Sequence, residues 1–132
     1  MAGDFIDTNI LLYAASADAA KAAAAWRLIG AGGTIRVQVL NEAANVAHKK
    51  LGWSWREIGA FLSAARDLLD VVPVTAAVHA TGLALAERYR LSLYDAMIAA
   101  AALLAGCDTL WSEDMQHGAR LQGRLRIVNP FR

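Results

Sequence analysis

The chain has 132 residues, a formal net charge of +1 and 57% hydrophobic residues. This length predicts one domain spanning residues 1–132, and the balanced charge lacks the strong basic excess typical of nucleic-acid-binding proteins. The longest uncharged apolar run is too short to span a bilayer, the N-terminus does not resemble a signal peptide, and the single Cys107 fits a reducing compartment, so we expect a cytoplasmic protein without a membrane segment.

A strand and two helices are predicted first. Residues 4–7 (DFID) are apolar in the middle and favour a central strand with Asp7 at its C-terminal end. A helix is predicted over residues 9–15. The next helix begins at Asp18, a good N-cap, and ends before a cluster of glycines at residue 30.

The next strand is predicted from a β-branched stretch at residues 34–39 (TIRVQV). If the strand ends there, Glu42 falls in the first turn of the helix that follows. Ser54 and Glu57 then have the spacing of a capping box, and apolar residues at helical spacing continue this helix to about residue 69.

The second half of the chain predicts a strand followed by two helices. Residues 71–74 (VVPV) favour a strand near the edge of the sheet, because Pro73 cannot donate to a ladder. Helices are predicted over residues 75–89 and 94–105. The second of these is apolar nearly all round, which indicates that it is buried.

Two short strands complete the predicted sheet. They cover residues 109–111, directly before Ser112 and Asp114, and residues 127–128. Strands that alternate with helices of about 10 to 15 residues are typical of βαβ units and a parallel sheet. The sequence therefore predicts an α/β fold, a three-layer α/β/α sandwich with a mainly parallel sheet of about five strands.

Four carboxylates follow predicted strands or begin predicted helices. In a parallel sheet the C-terminal ends of the strands share one edge, where residues distant in sequence meet. Four acids in one crevice would repel each other unless a cation joined them, and oxygen-only ligands favour Mg²⁺ or Mn²⁺ over Zn²⁺. The predicted metal ligands are Asp7, Glu42, Asp95 and Asp114.

Each acid also has a purely structural interpretation. Asp7 could cap the helix that follows it, and Glu42 could simply be favoured by the dipole of its own helix. Asp95 has capping-box spacing to Ser92, although it opens an uncharged helix, so a carboxylate there must be capped, paired or bound to a metal. Of the two acids in residues 112–114, either Glu113 or Asp114 could face the site.

Five motifs occur in an order that resembles a known family. They are FIDTNILLYA, VLNE, LSLYDAMIAAAAL, DTLWSEDMQHG and RIVNPF. Across residues 5–131 the chain resembles a PIN-domain ribonuclease of the VapC toxin type. The acidic positions of that family correspond to Asp7, Glu42, Asp95 and Asp114, and its Ser or Thr before the last acid corresponds to Ser112. The family supports the choice of Asp114 over Glu113.

The resemblance implies a metal-dependent endoribonuclease, the toxin of a toxin–antitoxin pair, which forms a homodimer and is inhibited by a small antitoxin whose tail occupies the acidic groove. The hypothesis is that a metal-activated water hydrolyses the RNA phosphodiester bond. Thr8, Asn9 and Ser112 would orient the carboxylates or the metal-bound waters. The basic residues expected to contact RNA are Lys49, Lys50, Arg56, Arg120 and Arg124.

A mean hydropathy of +0.33 independently predicts that another chain covers part of the apolar surface. Trp53 and Trp55 would suit such a partner, although a place in the core explains them equally well. We expect each histidine to be a surface or packed residue, because none has zinc-site spacing to Cys107.

Two other functions are compatible with parts of the pattern. A phosphohydrolase of the haloacid-dehalogenase type also begins with Asp after its first strand, but it needs a second Asp where this chain has Asn9. A non-catalytic interaction module would use the acids only as helix caps. A cysteine nucleophile is disfavoured, because Cys107 precedes a predicted strand and should lie at the opposite edge from the acids.

Overall fold

The computed structural model describes residues 3–132, over which it contains six strands and six helices. The strands are β1 (Asp4–Ile6), β2 (Thr34–Arg36), β3 (Asp70–Val72), β4 (Thr109–Trp111), β5 (Arg120–Leu121) and β6 (Leu125–Val128). The helices are α1 (Thr8–Ala14), α2 (Ala19–Gly30), α3 (Val37–Lys49), α4 (Trp55–Leu68), α5 (Ala76–Tyr89) and α6 (Leu93–Leu104).

The six strands form one sheet in the order β3-β2-β1-β4-β6-β5. Every neighbouring pair is parallel except β5 and β6, which are antiparallel. The predicted positions of two strands are confirmed, since β1 lies inside the sheet and β3 at its edge. Pro73 follows β3 and therefore removes no hydrogen bond from the ladder. The short antiparallel β5 adds a sixth strand to the five that the sequence predicts.

Helices cover both faces of the sheet. Phe5 packs with residues of α5 and α6 on one face, whereas the adjacent Ile6 packs with residues of α1 to α4 on the other. This alternation follows from the two-residue repeat of side chains along a strand. The predicted three-layer α/β/α sandwich is confirmed, as is the burial of α6, which is nearly continuous over residues 96–103.

The prediction for residues 34–39 is wrong in its second half. The strand ends at Arg36, and Val37 begins α3. The reason is that Val39, Ala43 and Ala47 recur every four residues and are all buried, so tertiary burial of one helical face outweighs the β-propensity of valine. Glu42 therefore lies in the second turn of α3 and not in the first.

The predicted N-caps at Asp18 and Ser54 are confirmed, and Thr75 and Ser92 cap helices as well. The side chains of Asp18, Ser54, Thr75 and Ser92 each accept a hydrogen bond from a backbone N–H in the first turn of the following helix. These bonds satisfy donors that the helix itself cannot pair. None of the helices described over residues 3–132 combines the length and apolar character that a bilayer crossing requires.

Candidate active site

Asp7 lies where β1 ends and α1 begins. Its Oδ1 accepts a hydrogen bond from the Thr8 backbone N–H at 2.7 Å, and its Oδ2 accepts one from Ser112 Oγ at 2.8 Å. Burial raises the pKa of Asp7 above its usual value, the two hydrogen bonds oppose that shift, and the charges of Asp114 and Asp95 raise the pKa further. Asp7 is thus a helix cap and also the point at which three acids influence one another.

Ser112 is completely buried directly after β4. Its backbone N–H donates to the Val128 carbonyl at 3.0 Å, which fixes the residue between two strands. Its hydroxyl donates to Asp7 and accepts from the Met115 backbone N–H at 3.4 Å. The only side-chain acceptor of this buried hydroxyl proton in the described structure is therefore the Asp7 carboxylate.

Glu42 reaches the same edge of the sheet from α3. Thr8 is buried, and its Oγ1 donates to Glu42 Oε2 at 2.7 Å. Because Thr8 directly follows Asp7, this bond connects the second turn of α3 to the end of β1. The position of Glu42 beyond the first turn also removes the interpretation that the helix dipole alone favours it there.

The two acids of the loop after β4 have different partners. The Asn9 side-chain amide donates to Asp114 Oδ2, which brings Asp114 to the start of α1. Glu113 instead accepts from Tyr13 Oη at 2.7 Å and from Lys21 Nζ at 3.3 Å. The geometry therefore favours Asp114 over Glu113 as the acid that faces Asp7.

Asp95 lies in the first turn of α6. Its backbone N–H donates to Ser92 Oγ at 3.3 Å, but its half-buried carboxylate accepts no hydrogen bond from residues 3–132. Asp95 and Asp114 both line a cleft of about 220 Å³, which also contains Tyr89, Gln116 and Arg120. The structural interpretation of Asp95 as half of a reciprocal capping box is therefore not supported.

The donor set of these acids fits a hard divalent cation. All the groups are carboxylate oxygens, and a positive ion would relieve both causes that raise the pKa of Asp7, first its burial and then the charges of Asp114 and Asp95. Among residues 3–132, however, no three His, Cys, Asp or Glu side chains converge closely enough to form a metal-binding group by themselves. The carboxylate ligands thus suit Mg²⁺ or Mn²⁺, but the described side chains do not form a complete coordination sphere by themselves.

Comparison with known proteins places this fold in a family. The sequence matches the PIN domain family over residues 5–119. The chain belongs to the PIN domain family. A search of the curated proteins found no match to the sequence.

Solved structures resemble this PIN domain over most of its length. A toxin–antitoxin complex from Klebsiella pneumoniae has a TM-score of 0.73 and 22% identity, covering 96% of this chain and 97% of that one. VapC20 of Mycobacterium tuberculosis, a toxin that cleaves the sarcin-ricin loop, has a TM-score of 0.64 and 21% identity, covering 84% and 89%. VapBC2 from Rickettsia felis, bound to a promoter DNA fragment, has a TM-score of 0.66 and 19% identity, covering 94% and 96%.

Cys107 lies at the opposite edge of the sheet from the four acids of this PIN domain, as predicted. It lines a larger cleft of about 520 Å³ together with Gly33, Thr34 and Asp70, which are near the N-terminal ends of the strands. Burial raises the pKa of the Cys107 thiol, which disfavours the reactive thiolate. The size of this cleft therefore does not make it the better candidate for catalysis.

The predicted RNA-contacting residues of the PIN domain lie in three places. Arg124 Nη2 donates to the Leu103 carbonyl at 3.1 Å, so this guanidinium helps to close the C-terminal end of α6. Arg120 lines the cleft beside Asp95. The remaining basic residues are exposed at the end of α3 and the start of α4; they are Lys49, Lys50 and Arg56.

Trp55 and Trp53 of the PIN domain have different surroundings. Trp55 is 65% exposed and stacks on His48 with the ring centroids 3.9 Å apart. Trp53 packs edge-to-face on Phe61 at 5.6 Å and is half-buried. Only Trp55 therefore belongs to the free surface.

Two features were not predicted from the sequence. They are the residues that bind Glu113 and the burial of Arg36. Tyr13 and Lys21 lie about a hundred positions before Glu113, and nothing in their local sequence indicates that contact. Arg36 lies in the predicted strand over residues 34–39 and is buried at the C-terminal end of β2. A charged residue inside an apolar strand was the available signal.

Proposed function

We propose that this PIN domain is a metal-dependent endoribonuclease that hydrolyses RNA phosphodiester bonds and serves as the toxin of a toxin–antitoxin pair. The observation that carries the proposal is the set of contacts by which Ser112, Thr8 and Asn9 each donate to a different acid at one edge of the sheet. The similar fold of a toxin that cleaves the sarcin-ricin loop supports the choice of RNA as substrate.

The proposed metal ligands are Asp7, Glu42, Asp95 and Asp114. A bound Mg²⁺ or Mn²⁺ would supply an activated water and offset negative charge on the phosphate. The protein would contribute these four carboxylates as ligands. Burial raises the pKa of Asp7 most, and the charges of Asp114 and Asp95 raise it further, so a cation would be favourable at this site.

The three donors hold the carboxylates in defined orientations. Thr8 Oγ1 engages only one oxygen of Glu42, and the Asn9 amide engages only one oxygen of Asp114. The second oxygen of each carboxylate is left for another partner. Ser112 and the Thr8 N–H hold both oxygens of Asp7, which prevents its rotation. Orienting partners of this kind typically contribute about 10- to 100-fold to metal affinity or activity.

The proposed reaction predicts the chemistry of the products. Water attacks the phosphorus, the 3′ oxygen leaves, and the ribose 2′-hydroxyl takes no part. The products therefore carry 5′-phosphate and 3′-hydroxyl ends. A 2′,3′-cyclic phosphate would show that the 2′-hydroxyl is the nucleophile and would contradict this mechanism.

The proposed function is tested by incubating the purified protein and total cellular RNA with Mg²⁺, Mn²⁺ or EDTA and mapping the product ends. We expect metal-dependent cuts that Asp7→Asn abolishes. Asp108→Asn is the matched control, because Asp108 is an exposed acid just before β4 at the other edge of the same sheet. Equal cleavage by wild type and Asp7→Asn would refute the site. No cleavage and no metal binding by calorimetry would favour an interaction module.

We also propose an antitoxin as partner and a homodimer as the assembly. A cleft of about 310 Å³ between α1 and α3 runs from Asn9 to Leu51 and also contains Leu12, Tyr13 and Val46. The apolar wall of this cleft begins at Asn9, whose side-chain amide binds Asp114. The cleft therefore suits a peptide that inserts a basic side chain toward the acids. The Klebsiella pneumoniae complex of similar fold supports such a partner. A monomer by light scattering would contradict the dimer.

A further inference from the structure

Arg36 is a largely buried residue whose guanidinium forms no ion pair among residues 3–132. It is 7% exposed, and no other charged residue in the described part of the chain is buried to that degree. Its Nε is inaccessible to solvent and forms no hydrogen bond. The one ion pair among residues 3–132 joins Lys21 to Glu113, so no carboxylate neutralises Arg36. Nε is the only guanidinium nitrogen of Arg36 that is both inaccessible and without a hydrogen bond, so the two terminal nitrogens can bind a group from outside the chain.

The sheet register places Arg36 beside Asp7. Phe5 of β1 pairs with Thr34 of the parallel neighbour β2, and continuing that register by two residues aligns Asp7 with Arg36. Both have extended backbones, with φ −78° and ψ 161° at Asp7 and φ −94° and ψ 156° at Arg36. Neighbouring strands are about 4.8 Å apart. The two residues are therefore adjacent at the C-terminal edge of the sheet.

The same register indicates which face of the sheet Arg36 occupies. Side chains alternate along a strand, so Asp7 shares the face of Phe5, and Arg36 shares it as well. Phe5 packs against the layer of α5 and α6, and Asp95 begins α6. Arg36 thus lies on the side of the sheet that carries two of the four acids, yet it is ion-paired with neither.

We propose that Arg36 binds a phosphate group of the RNA backbone next to the bond that is cut. The proposal rests on the function proposed above. A site of four carboxylates repels a polyanion, and an arginine that neighbours Asp7 in the sheet supplies local attraction. The planar fork of Arg matches two phosphate oxygens, and a side chain already fixed by burial loses little further entropy on binding. The phosphate would also be the counter-charge that the protein does not provide.

The alternative is that Arg36 acts only through its aliphatic stem, which would cover apolar surface in the manner of a long hydrophobic residue. Arg36→Met separates the two interpretations. It keeps a flexible chain of similar reach but removes the charge and the fork. Arg36→Lys keeps the charge without the fork, and Arg66→Met removes an exposed arginine from α4 as the matched control.

The test is equilibrium binding of a labelled single-stranded oligoribonucleotide in EDTA at several salt concentrations. We expect Arg36→Met to weaken binding about 10-fold and to reduce the slope of log K against log salt by about 0.7, the value for one phosphate contact on a single strand. Arg36→Lys should retain the salt slope and part of the affinity, and Arg66→Met should match wild type. Equal affinity and slope in Arg36→Met and Arg66→Met would overturn the proposal.

A second measurement covers the case in which Arg36→Met does not fold. In wild-type protein labelled with ¹⁵N-arginine, the assigned Arg36 Nε–H signal should shift when the oligoribonucleotide is added. An Arg36 Nε–H signal that does not shift on addition of the oligoribonucleotide would overturn the proposal. Because both measurements use EDTA, a failure of metal-dependent cleavage would count against the proposed function without altering the result for Arg36.

Discussion

The N-termini of α4 and α6 have the same local pattern, a serine followed three residues later by an acid, but the two acids behave differently. At α4, Glu57 N–H donates to Ser54 Oγ at 3.1 Å, and Ser54 N–H donates back to Glu57 Oε1 at 2.9 Å. At α6, Asp95 N–H donates to Ser92 Oγ at 3.3 Å, and no bond returns to the Asp95 carboxylate. The capping box of α4 is closed, because both of its hydrogen bonds form. The capping box of α6 is open, because only one forms.

The physical reason lies in side-chain length and surroundings. Asp95 is one methylene shorter than Glu57 and reaches the N-cap backbone less readily. Glu57 is fully exposed, and the bond from the Ser54 backbone N–H lowers its pKa. Asp95 instead lines a cleft with Asp114, and both charges raise the pKa of Asp7. A carboxylate that accepts no hydrogen bond from the N-cap backbone of its own helix is available to a ligand.

Exchanging each acid for its amide should give the largest contrast between the two boxes. Asp95→Asn should reduce RNA cleavage by more than about 100-fold, because even the residues that orient a metal ligand typically contribute about 10- to 100-fold. Glu57→Gln should leave the rate unchanged and lower the melting temperature slightly. Rates at saturating Mn²⁺ and melting curves for both variants check this. Equal losses of rate would mean that Asp95 is only a cap.

Removing the buried hydroxyl at Ser112 should have the next largest effect. Ser112→Ala removes the hydrogen bond that lowers the pKa of Asp7, so that pKa should rise further, and cleavage should fall about 10- to 100-fold. The acidic limb of the pH–rate profile should therefore move to higher pH. Ser54→Ala is the control and should leave that limb in place. A lower rate with an unshifted limb would contradict the role assigned to Ser112.

Neutralising Asp7 should stabilise the metal-free protein, in contrast to the loss of stability expected at Glu57. The folded-state pKa of Asp7 lies above the model value of 3.8, so the native state binds more protons than the unfolded state between those values. The penalty for the buried charge is present at neutral pH and disappears as the pH falls through that window. Asp7→Asn should therefore melt a few degrees higher in EDTA at neutral pH, with a smaller difference in acid. A lower melting temperature at neutral pH would contradict the argument.

The smallest expected effect concerns the cap hydroxyls themselves. Ser54→Ala should reduce the free energy of unfolding by about 1 kcal/mol, the usual contribution of an N-cap, because it removes the 3.1 Å bond that the Glu57 N–H donates to Ser54 Oγ. Ser92→Ala removes a single bond of 3.3 Å and should cost less. Urea unfolding in EDTA measures both. A greater loss for Ser92→Ala would mean that the open box is the stronger cap.

Local chemistry was enough to predict most of the fold. The caps at Asp18 and Ser54 follow from short side chains that satisfy free N–H groups within three residues. The burial of α6 follows from its almost unbroken apolar sequence. Residues 37–39 show the limit, because valine suits either a strand or a helix and only packing against the core selects between them.

The sequence by itself determined the alternation of strands and helices and the positions of Asp7, Asp95 and Asp114 after strands or in a first helical turn, since both depend on residues close in the chain. Tertiary structure alone decided that Asn9 holds Asp114, that Glu113 turns to Tyr13, and that Arg36 is buried without a counter-charge. The pairing of the two-residue β5 with β6 belongs to the same group. Each depends on which distant groups the sheet brings together, and on how burial then changes the free energy of a charge.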